Sequence, residues 1–127
     1  MAIKKQISIV LQNKVGELFE VCDALRRRKV NLIAFCIHSL RDFGVLRIVV
    51  NNPGVARKAL KSMRLSFTAS DVAIGELPNV PGALAKVTKK LARAGINIEY
   101  AYASATDEKS LVIFKVSETA KASRLLE

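Results

Sequence analysis

The chain contains no tryptophan, a single histidine and two cysteines in 127 residues. With His38 the lone imidazole and no Cys-x-x-Cys pair, a zinc site would have to be built largely from carboxylates, so no metal is expected. Cys22 falls on the apolar stripe of a predicted helix and Cys36 in a predicted strand, where both read as buried thiols and not as a disulfide. No apolar run approaches the roughly 20 residues that span a bilayer, so no membrane partner is expected. The opening Met1-Ala2-Ile3-Lys4-Lys5 has no apolar signal block, and the expected location is the cytoplasm. A Gly-rich phosphate loop, an HExxH zinc motif and a calcium loop are all missing. Cys36 and His38 form only an i, i+2 strand pair, and Asp107 and Glu108 sit in a predicted turn as solvated side chains. His38 is the one group suited to acid/base work at neutral pH. The chain is therefore not expected to be an enzyme or to carry a cofactor.

What is abundant is apolar and basic. Half the residues are apolar, which excludes disorder, and the length suits one compact domain or two very small ones. Twenty-one Lys and Arg against 11 Asp and Glu give a net charge of +10. That balance favours anionic partners and allows weak polyanion binding without naming one.

The chain also repeats itself. Shifted by 66 residues, Asn13-Lys14-Val15-Gly16-Glu17-Leu18 falls on Asn79-Val80-Pro81-Gly82-Ala83-Leu84, and Val30-Asn31-Leu32 falls on Ile96-Asn97-Ile98. Two copies of this length indicate paired modules and not a solenoid. The boundaries read as 1–69 and 70–127. In the first copy Ile7, Ile9 and Leu11 alternate as in a half-buried strand, and Leu18, Val21, Cys22 and Leu25 mark one face of a helix. Strands follow at Val30–Ile37 and Val45–Val50, a helix after Asn51-Asn52-Pro53, and a short strand at Leu65–Thr68. The order is βαββαβ, a ferredoxin-like α+β module with both helices on one face of its sheet. The second copy repeats it with strands at Val72–Leu77, Ile96–Ala103 and Leu111–Val116, but the chain ends in its second helix. The second module therefore lacks its final strand. The continuous stretch Ser66–Leu77 is long enough to serve both modules and is the expected donor.

The strand-to-helix turn recurs in both copies. Pro81 is expected in the first helical turn, Gly82 to admit a ligand close to the backbone, and the unpaired amides beyond to seat a carboxylate. Asn79 can cap the turn or accept from an ammonium group. Asn13, Val15 and Gly16 repeat the arrangement. Leu77 to Leu84, followed by a helix and Ala94-Gly95-Ile96-Asn97-Ile98, resembles the signature of the ACT domain, whose usual form is Asp-x-Pro-Gly-x-Leu before a helix ending in Gly-Ile-Asn-Ile. The resemblance covers nearly the whole chain, and the whole resembles small proteins made only of two ACT repeats. It implies a regulatory protein that binds an amino acid or similar metabolite where modules pair side by side, and a homodimer. Carried over, the loop candidates are Asn13, Val15, Gly16, Asn79, Pro81 and Gly82, and the strand candidates are Asn31, Leu32, Asn97 and Ile98. Asn13 and Asn79 stand where the family often has Asp, and the first copy lacks both the Pro and the Gly before its Asn31.

Two other readings use the same fold. A nucleic-acid module would stack bases on strand aromatics, yet Val45–Val50 and Leu111–Val116 carry only Phe114, and the basic residues cluster on helices instead. A ligand-free assembly module would show loop amides occluded by side chains.

Overall fold

A computed structural model describes all 127 residues. The elements run β1 (Ala2–Gln12), α1 (Glu17–Arg27), β2 (Leu32–Leu40), β3 (Phe43–Val50), α2 (Pro53–Ser62), β4 (Phe67–Pro78), α3 (Ala83–Arg93), β5 (Ile98–Ala105), β6 (Lys109–Val116) and α4 (Thr119–Leu125). The chain forms two compact units: Lys5–Ser70, and Asp71–Glu127 together with Met1–Lys4. The βαββαβ pattern occurs twice, and the second copy ends without a final strand of its own.

In the Lys5–Ser70 unit the strands lie in the order β2-β3-β1-β4. β3 pairs antiparallel with β1, from Gln6 opposite Val49 to Gln12 opposite Phe43, and with β2 on its other side. Alternation sends Ile7, Ile9, Leu11, Leu46, Ile48 and Val50 to one face, where they meet Val21 and Leu25 of α1 and Ala56, Ala59 and Leu60 of α2. Asn52 caps α2, its Oδ1 accepting from the Val55 amide at 3.2 Å, with Pro53 at the first helical position where no amide is missed. β2 begins at Leu32 and not at Val30, because the Val30 amide is spent on closing α1 against the Leu25 carbonyl at 3.0 Å.

In the other unit β6 pairs antiparallel with β4 and β5, and Ala73, Val112, Phe114 and Val116 pack beneath Val87 and Leu91 of α3 and Ala122 of α4. The place beside β4 opposite β6 is held by Ala2–Lys4 at the start of β1. β1 is free to do this because its ladder with β3 starts only at Gln6. The Met1 ammonium donates to the carbonyls of Ser123 (3.2 Å) and Leu126 (3.1 Å), which the end of α4 leaves without helical partners. The Ser123 hydroxyl in turn donates to the Met1 carbonyl. Gly75 leaves room for Met1, since a β-carbon there would lie 2.8 Å from the Met1 Cγ.

Two expectations about strands change. The separate strands at Leu65–Thr68 and Val72–Leu77 are one strand, β4, which closes one unit and opens the other. Ser66–Leu77 thus serves both units, but it does not fill the vacant last position; the first residues of the chain do.

Phe114 is the largest fully buried side chain of the second core, at 1% exposure. Phe114→Ala should cost about 3–5 kcal/mol, through lost transfer energy plus an unrelaxed cavity. Chemical denaturation with an unchanged m-value would measure it, and a loss under 1 kcal/mol would mean that this core is not packed as described.

Candidate functional site

The two strand-to-helix loops share one backbone design. Asn13 and Asn79 donate their amides to the carbonyls of Asp42 (2.9 Å) and Glu108 (2.8 Å) across the neighbouring hairpins. Lys14 and Val80 donate back to Gln12 and Pro78, each at 3.0 Å, and Glu20 and Lys86 open the helical ladders on Gly16 and Gly82, each at 3.0 Å. Gly16 (φ 90°) and Gly82 (φ 87°) are left-handed residues that cap α1 and α3 without a side-chain bond. Glycine is needed there for that conformation, and a β-carbon at either would meet nothing within 4 Å. The loop surface is therefore open, and the second and third helical amides (Leu18 and Phe19, Leu84 and Ala85) lack backbone acceptors. Val15 is fully exposed beside them.

Pro81 sits in the turn ahead of α3, which begins at Ala83, and not in the first helical turn. Its missing amide therefore does not spare the helix a donor; Pro81 instead fixes the turn before the left-handed glycine. Asn79 does not cap the helix: its side chain donates Nδ2 to the Thr106 carbonyl at 2.8 Å, as Asn13 does to Arg41 at 2.8 Å. Both side chains fasten the loop to the adjacent hairpin. This explains Asn where an Asp would set a carboxylate against a carbonyl oxygen. Their remaining Oδ1 atoms have no protein donor.

The copies differ in charge. The first turn of α1 carries Glu17, paired with Lys14 at 3.6 Å, and Glu20, whereas the first turn of α3 has no acid. The positive end of α1 is thus already compensated by its own carboxylates, and that of α3 is not.

The strand candidates lie elsewhere. The Asn31 amide donates to Asn51 Oδ1 at 2.9 Å, and the Asn97 amide to Ser117 Oγ at 3.0 Å. These are the starts of β2 and β5, whereas Asn13 and Asn79 are tied to the hairpins at their far ends. At about 3.3 Å per residue, a strand of this length separates the two sets by roughly 25–30 Å within one unit. The structure brings together Asn13, Val15 and Gly16, and likewise Asn79, Pro81 and Gly82. It does not bring either set to Asn31 and Leu32 or to Asn97 and Ile98 of the same unit. A depression of about 430 Å³ lined by Met1, Leu77, Ala83, Lys86 and Lys90 reaches neither Asn79 nor Gly82.

A further set was not singled out from sequence. β2 is an end strand of its sheet, and from Leu32 to Leu40 it contains no Lys, Arg, Asp, Glu or Pro. Phe35 (53% exposed) and Ile37 lie on its helix side, with Phe19 of α1 also exposed. Phe35 and Leu32 rim an apolar recess of about 30 Å³ with Leu18, Val21 and Cys22, too small for a metabolite. The signal was available as an uncharged strand that would need a partner. Sixty-six residues on, Phe19, Phe35 and Ile37 correspond to Ala85, Ala101 and Ala103.

A family model described as an ACT domain pair matches residues 1–126. Among solved structures, the chain is similar to a protein from Bacteroides thetaiotaomicron at 42% identity and TM-score 0.92, covering 98% of this chain and 86% of that one. It also matches the regulatory subunit of aspartate kinase from Thermus thermophilus at 18% identity and TM-score 0.70, covering 99% and 95%. The equivalent subunit from Thermus flavus matches at 18% and 0.70, covering 98% and 90%. At that identity the likeness to the kinase subunits shows the fold. No curated protein matches the chain.

Asn79→Asp should destabilise the protein by about 1 kcal/mol at neutral pH, because a donor is lost and a carboxylate faces the Thr106 carbonyl. The folded state would hold that carboxyl's pKa above its unfolded value near 3.9, so the folded chain binds more protons. The penalty should shrink as pH falls through about 4, which thermal melts of both proteins from pH 3 to 7 would measure.

Proposed function

The chain belongs to the ACT domain family as an ACT domain pair, and we propose that it is a regulatory protein whose modules hold a small ligand, an amino acid or a close relative, between paired module edges. The observation that carries this reading is the separation of the two candidate sets to opposite ends of an edge strand, in the same way in both units. A second edge strand laid antiparallel beside the first would bring the start of one to the far end of the other. Asn31 and Leu32, or Asn97 and Ile98, of one module would then face the loop of its neighbour. The partner is a second copy of this chain, in a homodimer, and the site is incomplete without it.

Each group has a task in this arrangement. Gly82 leaves the amides of Leu84 and Ala85 open to a carboxylate at a helix end that has no acid of its own. Asn79 Oδ1 and the carbonyls of the partner's strand start accept from an ammonium group. Val15 and Pro81 shape the apolar side of their sites, with Ile98 and Leu32 opposite. The open loop also favours this reading over ligand-free assembly. The better carboxylate seat is at Gly82, because Glu17 and Glu20 oppose an anion at Gly16. A ligand that binds the paired form better than the unpaired form stabilises it by that difference. The kinase neighbours are regulatory subunits, in keeping with such a role.

Thermal-shift measurements against the twenty amino acids test the proposal. A ligand at 100 to 1,000 times its Kd should stabilise by roughly 3–4 kcal/mol. Flat curves across the panel would remove amino acids as the ligand class. Phe35→Lys places a charge on the edge and should shift the dimer to monomer in sedimentation while abolishing the ligand-induced shift. A monomeric variant that keeps a full response would show that one chain suffices.

A further inference from the structure

Three helices end alike. The amides of Val30, Leu65 and Ile96 return to the carbonyls of Leu25, Leu60 and Leu91 at 3.0, 3.2 and 3.0 Å. Each closure puts the preceding residue in the left-handed region: Lys29 (φ 58°), Arg64 (φ 58°) and Gly95 (φ 71°). Glycine suits this position because a β-carbon there crowds the backbone. α3 uses glycine. Lys29 stands at the corresponding place in the first copy, and Arg64 repeats the substitution at the end of α2. A cation does offset the negative end of a helix, but α3 has the same dipole, with Lys90 and Arg93 in its last turn, and still ends in glycine. At helix ends the left-handed conformation is accepted by a long cation twice, both times in the Lys5–Ser70 unit; the third left-handed non-glycine residue, Arg41 (φ 60°), lies in the hairpin between β2 and β3.

The two left-handed cations at helix ends belong to one surface. Arg28 donates Nη2 to Ser62 Oγ at 3.1 Å, which joins the end of α1 to the last turn of α2. Around that bond Arg28, Lys29, Lys58, Lys61 and Arg64 are all exposed, and none has a carboxylate within ion-pair distance. The nearest acid in sequence, Asp23, is taken by Arg26 (2.8 Å) and Arg27 (2.7 Å). The hydrogen bonds from Arg26 hold its carboxyl below the ordinary range. Twelve Lys and Arg against four Asp and Glu give residues 5–70 a charge of +8 out of the chain's +10.

The chemistry of this surface selects its partner. Protein interfaces need an apolar centre and are depleted in lysine, and none of the exposed large apolar side chains lies on α2 or within residues 26–29. Single-stranded nucleic acid is held by stacking on aromatics, and there are none here. Arginine, lysine and a hydroxyl without apolar anchors are the groups that hold phosphates in place on a duplex. We propose that the joined ends of α1 and α2 bind the phosphate backbone of a nucleic-acid duplex without reading its bases. This does not draw on the ligand reading and stands or falls separately.

The test is fluorescence anisotropy with the full chain and a labelled 20-base-pair DNA duplex across a salt series. Five phosphate contacts predict a slope of log K against log salt of about −4.5. The double variant Lys29→Gly with Arg64→Gly removes two cations and relieves two strained residues. It should bind at least about tenfold more weakly at 50 mM salt and reduce the slope by about 2, while melting no lower than the parent. Asp23→Asn, which releases Arg26 and Arg27, should bind more tightly. Unchanged binding by the double variant overturns the proposal, as does a weaker binder that also melts lower. Poly-glutamate or a pyrimidine single strand bound as tightly as the duplex would overturn it in favour of an acidic protein or a single strand.

Discussion

A strand in the interior of a sheet must find backbone partners on both sides, because a buried amide or carbonyl left unpaired costs about as much as the hydrogen bond it forgoes. The middle of β4 is under this constraint: Val72 and Ala73 have no exposure at all. β6 supplies one neighbour, and the second copy has no strand of its own for the other side. The demand is met by Ala2–Lys4, and the rest of the architecture follows. β1 must be long enough to serve one unit before its pairing with β3 begins at Gln6, and β4 long enough to end one unit and begin the other. The docking of Met1 on the end of α4 fixes the short donor segment where its few ladder bonds alone would hold it weakly.

Much of this could be read in the residues. The helices and most strands follow from apolar spacing, since Val21 and Leu25, or Val87 and Leu91, can share a face only at helical period. The 66-residue repeat and the Pro-Gly and Gly-Ile-Asn-Ile segments located both loops and the family. Three features were not legible, each for a physical reason. The use of Ala2–Lys4 as a strand in the distant unit leaves no local mark, because pairing partners far apart in sequence share no pattern. Pro81 lies two residues ahead of α3 and not in its first turn; a proline ahead of a left-handed glycine reads like a proline at a helix start. Lys29 and Arg64 in the left-handed region are contrary to their intrinsic preference, which is why they could be found only from the backbone. The candidate site was legible as a set of residues but not as an arrangement: sequence spacing could not show that Asn79 and Asn97 end up at opposite ends of a strand.

The two copies share one backbone pattern, while their side chains differ in separate directions. The first copy carries most of the charge, an apolar edge with Phe35 and Ile37, and its own carboxylates at the start of α1. The second has a small-residue edge, an uncompensated helix start and glycine where the first has Lys29. Sites related by the repeat therefore differ in electrostatics while the backbone hydrogen bonds that position them stay the same, from Asn13 to Asp42 and from Asn79 to Glu108.

The placement of Ala2–Lys4 has a kinetic side. On a ribosome these residues are made long before β4, α4 and the carbonyl of Leu126, which is 125 positions from the ammonium that binds it. Their destination does not exist until residues 71–126 have been synthesised. The Lys5–Ser70 unit can gather its own core earlier, while the strands of the other unit are completed only by a long loop-forming search, the kind of distant pairing that slows folding. Until then the edge of β4 is a bare ladder, and its protection depends on how soon the chain's first few residues return.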